Sequence, residues 1–356
     1  MLASTTYNAL FKHAHQCLWK QYISLLPLTN LLNSRSPPRS MSDAGSAAKT
    51  SDAGSAAKDQ PGSVRIGHLD PRDYHLPVEW GRKEGWTVRD SDVKLILAVD
   101  PRAWYAASLN NEVVSLMCAI NYDPKFATVG CFITREDHRE KGEGFGVAVF
   151  EAALEHTGDR VTQLFAQEDV AEKYEKKGFA KDGNSVVQYE RELDDGFWRG
   201  FDAKEFTAEG VQLENINQTD LADLAAFDRK YFPASRETFL RELVKDGKIS
   251  GRVAVRGGKV AGYGTIRDLE EGVWKIGPLY AETPEVAAHL FAAFLDEKKP
   301  RKLLVAVPIS KNGNARKLVK RFGMKEQVEV FVMYRNGRPE GLEEAGMYAI
   351  TNAQIG

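Results

Sequence analysis

The chain has 356 residues, 43% of them hydrophobic, enough to bury real cores and to suggest two domains. A formal net charge of −2 and a pI near 6.4 leave no global basic field for nucleic acid. Three cysteines (Cys17, Cys118, Cys131) form no CxxC pair, which supports neither a zinc site nor a disulfide framework and points to a reduced, cytoplasmic protein; no apolar run reaches the roughly 18 residues of a membrane span.

Residues 1–42 hold no Asp or Glu but carry Lys12, Lys20, Arg35 and Arg39 in a loosely amphipathic run. Two readings fit: a mitochondrial targeting segment over 1–40, or an extension upstream of an initiator at Met41. "SDAGSAAK" then occurs twice, at 42–49 and 51–58. Small polar repeats cannot bury a core, so residues 1–63 read as a disordered extension and order is expected from Val64.

The body repeats itself. Over 102–180 and onward, "AWYAASL" and "VVSLMCAI" flank "NNE" as a hairpin, and "FATVGCFIT" is a third strand. "GFGVAVFEAALEHT" has the apolar stripe of a helix; a strand "VTQLFA", a short helix ending at Gly178 and a last strand "NSVVQYEREL" follow. In 252–335 the same order returns: hairpin, strand, a helix with Thr283 as N-cap and Pro284 at its first position, strand, short helix ending at Gly323, strand. Two copies of one β-β-β-α-β-α-β unit are predicted, over 64–198 and 205–356, joined near 194–210.

The segment "REDHREKGEGFGVAV" (135–149) enters the first long helix through alternating glycines. A dinucleotide-binding GxGxxG is excluded because Val147 stands where the third glycine is needed. A kinase loop is excluded because no HRD, DFG or APE occurs. What remains is a helix entry that aims unpaired backbone N–H groups at one point, with Arg139 and Lys141 adding positive charge. Glycine at 142 and 144 lets a pyrophosphate approach; the plain alternative is a flexible strand-to-helix connection.

Arg139, Gly142 and Gly144 are similar to the R-x-x-G-x-G/A element of the GNAT acetyltransferase superfamily. "EKYEKKGF" (172–179) resembles its second element, a short helix with a tyrosine before Gly-Phe. "VEWGRKEGW", "AINYDPKFATVGCFI", "FDRKYFPASRETFL", "KIGPLYAETPEVA" and "YAITNAQIG" resemble a two-domain subgroup, so the resemblance covers about 64–356. It implies an α/β fold with mixed sheets, tandem GNAT units, and an N-acetyltransferase moving an acetyl group from acetyl-CoA to an amine acceptor, either a small molecule or a protein amine. It implies no metal, nucleic-acid or membrane partner. By the resemblance, the strand Cys131, Phe132, Ile133, Thr134 binds the pantetheine arm, and Arg139, Glu140, Lys141, Gly142, Glu143, Gly144 hold the pyrophosphate. Glu140 stands where the family usually has glycine, and Glu143 adds a second negative charge. The second copy has only "AET" between Tyr280 and Pro284, with Glu282 at the turn, and reads as a copy without the CoA loop.

Transfer to a lysine-like amine, neutral about once in 10³ at pH 7, needs a base, and Asp123 is the candidate, with a turn role before Pro124 as the alternative. Main-chain N–H groups of 131–134 are candidates for the oxyanion, and Tyr174 matches the tyrosine that protonates the leaving thiolate; its alternative role is packing. Cys118 and Cys131 read as core residues. The rival functions are a non-catalytic acyl-CoA sensor and a protein-interaction module built on the second copy.

Overall fold

The computed structural model describes residues 63–309 and 313–356. The expected targeting segment, Cys17 and the repeated linker lie outside the described residues.

The first copy runs β1 (Val64–His68), α1 (Leu76–Lys83), α2 (Asp90–Val99), β2 (Trp104–Leu109), β3 (Glu112–Asn121), β4 (Phe126–Thr134), α3 (Phe145–Thr157), β5 (Val161–Ala166), α4 (Glu168–Glu175) and β6 (Ala180–Glu192). A short helix, α5 (Asp195–Gly200), leads to the second: β7 (Val211–Asn215), α6 (Leu221–Asp228), α7 (Glu237–Leu243), β8 (Ile249–Arg256), β9 (Lys259–Asp268), β10 (Val273–Ala281), α8 (Pro284–Lys298), β11 (Lys302–Ile309), α9 (Asn314–Arg321) and β12 (Lys325–Arg335). The tail adds β13 (Met347–Ala349). The β-β-β-α-β-α-β order is present twice, and each copy has a further strand and two helices in front of it. Those helices are short, and α1 carries Pro77 and Gly81, so their apolar period is hard to read.

Local chemistry explains the elements. The β2–β3 hairpin turns through Asn110 and Asn111, whose φ of 51° and 66° suits a right-twisted two-residue turn that asparagine tolerates. α8 starts at Thr283, whose side chain accepts from the Val286 N–H at 3.3 Å, with Pro284 next.

The strands among the described residues form one sheet, in the order β1-β2-β3-β4-β5-β12-β6-β11-β10-β9-β8-β7, with β13 on β10. Exchanging the two copies reverses this order onto itself, so the sheet has a local two-fold between β12 and β6. The closing strands are exchanged. β12 pairs with β5 through Phe331↔Ala166 to Arg335↔Thr162. β6 pairs with β11 from Lys302↔Glu192 to Ile309↔Ser185.

The copies also share a core. Val93, Leu95 and Ile96 of α2 lie in one apolar cluster with Phe239, Leu240 and Leu243 of α7. Burying a side chain of this size contributes roughly 1.5–3 kcal/mol. Behind β4 and β5, α3 buries Val149, Phe150 and Ala153 against Met117, Leu164 and Phe179. No helix among the described residues is long and apolar enough to cross a membrane.

Candidate active site

β4 and β5 are parallel and pair only at their starts, Phe126↔Val161 to Thr128↔Gln163. Beyond that they part. β4 is bent where they do: Leu116↔Ile133 and Cys118↔Gly130 leave Met117 alone opposite both Cys131 and Phe132. This is a β-bulge, and Cys131 takes φ 49° there, a conformation that bulky residues adopt only under local constraint. The opening is a cavity lined by Cys131 and Phe132 of β4, Leu164 and Ala166 of β5, and Tyr174 of α4.

The loop from β4 to α3 sits at the open end. Gly144 is the N-cap of α3 at φ 75°, and Gly142 has φ 70°. The first turn of α3 carries no acidic residue, so its amides face the loop with the positive end of the helix dipole uncompensated. The loop charges are arranged differently from their sequence reading. Arg139 donates from Nε to the Thr134 carbonyl at 2.6 Å and ion-pairs with Glu84, so it pins the loop to the end of β4. Glu143 is held by His138 Nδ1 at 2.8 Å. Glu140 and Lys141 are exposed.

Tyr174 is 5% exposed and packs near Phe150, ring centroids 5.6 Å apart. A tyrosine phenol is already protonated at neutral pH, and burial pushes this one further above the usual range. Asp123 lies elsewhere, in the β3–β4 turn. Its Oδ1 accepts from the N–H groups of Lys125 at 2.7 Å and Phe126 at 2.8 Å, and it does not line the cavity. Ile133 and Thr134 continue the β4 ladder, with Thr134 Oγ1 2.9 Å from Ser115 Oγ. Cys118 and Cys131 are buried, and burial pushes both thiols up, Cys118 to about 12.

In the second copy the corresponding gap is filled. β10 and β11 pair from Val273↔Lys302 to Ile276↔Val305, then part, and β13 enters between them. Leu279 pairs with Ala349, Tyr280 pairs with Met347, and Ile350 N–H donates to the Ala306 carbonyl at 2.9 Å. The tail then crosses to the first copy, where Thr128 Oγ1 donates to the Gln354 carbonyl at 3.3 Å and Tyr122 Oη to that of Ile355 at 2.7 Å. Gln354 and Trp86 also line the first cavity. Nothing in the period or composition of "YAITNAQIG" points to this placement.

A larger cavity adjoins the first and shares Trp86, Ala353 and Gln354 with it. Its floor is one face of the shared sheet: Lys275 on β10, Leu304 and Ala306 on β11, Glu190 on β6, Val330 on β12. It encloses about 2090 Å³, adjoining solvent included.

The β-β-β-α-β-α-β unit with its splayed parallel pair is the GNAT fold, present here twice, whereas the glycine-capped helix at the mouth and the tyrosine helix occur in the first copy. Over the described residues the chain has the fold of tandem GNAT proteins. Residues 224–349 match the model described as "Acetyltransferase (GNAT) domain", which falls on the second copy. The chain is 26% identical over 285 residues to Holothin acyltransferase of a Pseudoalteromonas species, covering 80% of this chain and 92% of that one. A putative acetyltransferase from Pyrococcus horikoshii superposes with a TM-score of 0.66 at 22% identity, covering 85% and 98% of the two chains. A tandem GNAT protein of the clavulanic acid biosynthesis pathway gives a TM-score of 0.54 at 14% identity, covering 78% and 99%.

Proposed function

We propose that the protein is an N-acyltransferase that moves an acetyl group from acetyl-CoA directly to an amine acceptor, using the site in the first copy, 64–198. The observation that carries this reading is the convergence of three features on one cavity: the Cys131 bulge between β4 and β5, the Gly142–Gly144 helix entry at its mouth, and the Tyr174 side chain in its wall. Backbone N–H groups of the loop and of the first turn of α3 suit a pyrophosphate, and the unpaired edges of β4 and β5 suit an amide-bearing arm. Arg139 acts by shaping the loop. Tyr174, protonated at neutral pH, is the donor to the leaving thiolate. Asp123 is committed to its turn, so a base for the acceptor amine is not assigned to it. The Holothin acyltransferase relative is named for acylation in general, and longer acyl groups fall within the same reading.

The test is cofactor-dependent stability together with turnover. Acetyl-CoA at 100 times its Kd should stabilise the fold by about 2.7 kcal/mol. Gly144→Asp should remove that gain and lower the unliganded melting temperature only modestly, because aspartate adopts positive φ at less cost than most residues. Release of CoA thiol with an amine panel separates an enzyme from a sensor. A melting shift that survives in the variant would remove the loop from the site.

A further inference from the structure

The larger cavity contains a cation, Lys275, with no ion-pair partner within salt-bridge distance among the described residues. Lys275 is directly opposite Arg267 on β9 and Leu304 on β11, so its side chain lies on the cavity face of the sheet. It is 5% exposed, and its Nζ has Thr87 Oγ1 at 3.5 Å as its hydrogen-bond partner among the described residues. Arg267 gives Nη1 to Asp92 Oδ1 at 2.6 Å, and the other Asp92 oxygen accepts from Arg89 N at 3.1 Å. Arg267 Nε and Nη2 are buried with no acceptor among the described residues. The buried cluster therefore holds two cations and one anion. The other acids that line the cavity are paired or exposed at its rim. Glu190 pairs with Lys302 at 2.8 Å, Glu270 with Arg89 at 3.0 Å and Lys248 at 3.4 Å, and Glu271 is exposed at the rim.

A buried ammonium without a partner is costly, and such groups are ordinarily paired. We propose that Lys275 anchors a carboxylate of the acceptor, so that the cavity takes a small amine carrying a carboxylate on an apolar body. Trp86, Leu304, Ala306 and Val330 supply the surface for that body. The cavity adjoins the first, with Trp86 and Gln354 lining both, so an acceptor held by its acid end at Lys275 would present its amine end toward the bulge. Burial, and then the neighbouring Arg267, push the ammonium down to about 8, and the pull of Asp92, already shared by Arg267, only partly offsets them. The proposal rests on the acyltransfer reading for the word acceptor; the anion site stands by itself.

Two measurements on the full chain keep these apart. Phenylacetate, a carboxylate with no amine, should raise the melting temperature of the wild type, whereas benzylamine should not. Lys275→Met should lose the phenylacetate shift and Lys275→Arg should keep it, while both retain the shift with acetyl-CoA, which shows that they fold. In turnover, phenylalanine should exceed phenethylamine by at least about tenfold in kcat/KM, and Lys275→Met should bring that ratio close to one. Absence of a phenylacetate shift, or a shift that survives Lys275→Met, overturns the anion site. Phenylacetate binding without CoA release from any amine would leave the anion site standing and sink the acyltransfer reading. Turnover of phenethylamine as readily as phenylalanine would sink the carboxylate specificity alone.

Discussion

Lys275 keeps its charge at a cost to the fold, and the cost has a pH window. Its folded value, about 8, lies below the ordinary 10.5. Between these pH values the unfolded chain binds more protons than the folded one, so this group makes stability rise with pH there. Below about 8 both states carry the charge and the penalty is present in full. Each unit of pKa difference corresponds to about 1.4 kcal/mol, so the penalty is on the order of 3 kcal/mol. Lys275→Met is therefore expected to be more stable than the wild type at pH 7, by roughly 2–3 kcal/mol, with the difference shrinking toward pH 10. Urea unfolding at several pH values measures this, and a destabilised variant at pH 7 would show that the ammonium has a partner in the fold. Tyr174 is separable in the same residue-by-residue way. If its hydroxyl protonates the thiolate, Tyr174→Phe should lower kcat by about 10² with little change in the KM for acetyl-CoA. A lower melting temperature with unchanged kcat would leave it as packing against Phe150 and Phe179.

At the scale of elements, what was legible was local. The β4–α3 loop could be read because its glycines must take positive φ, and α8 because Thr283 and Pro284 mark its start. The direction of Arg139 was not legible: its partner Glu84 is far away in sequence and only the fold brings them together. β13 was not legible for a similar reason. A three-residue strand has no period, and its place between β10 and β11 depends on a gap that long-range pairing creates. That place leaves a testable trace at Gly277, which has φ 152°, and whose added Cβ would stand 2.1 Å from the Ile350 carbonyl oxygen. Gly277→Ala should expel the tail from β10 at a cost of about 2–4 kcal/mol. The expelled tail should become a site of limited proteolysis, cut after its basic or aromatic residues before the rest of the chain. Unchanged stability and an intact tail in that variant would mean that the backbone at Ile350 shifts at little cost.

For the whole molecule, the exchanged strands decide how the halves behave. The reading of two units over 64–198 and 205–356 describes the order of the chain, whereas the pairing crosses between them. A piece ending at 198 would lack β12 and leave the edge of β5 unpaired. A piece starting at 205 would lack β6 beside β11. Unpaired apolar edges associate or aggregate, so each half alone should be insoluble, and the two expressed together should recover a complex. One cooperative unfolding transition is expected for the intact chain, because the α2–α7 core and the central strands belong to both copies. The same architecture sets ligand stoichiometry. In the first copy the gap between β4 and β5 is open and its helix entry is glycine-capped. In the second, β13 occupies the gap, and the Thr283 hydroxyl already caps the Val286 amide of α8. Glu282 at that turn opposes an anion, and Pro284 removes one donor. One CoA per chain is therefore the expected result of titration calorimetry, and Gly144→Asp should reduce it to none. A stoichiometry near two in the wild type would place a second working cradle in the copy where the tail now lies.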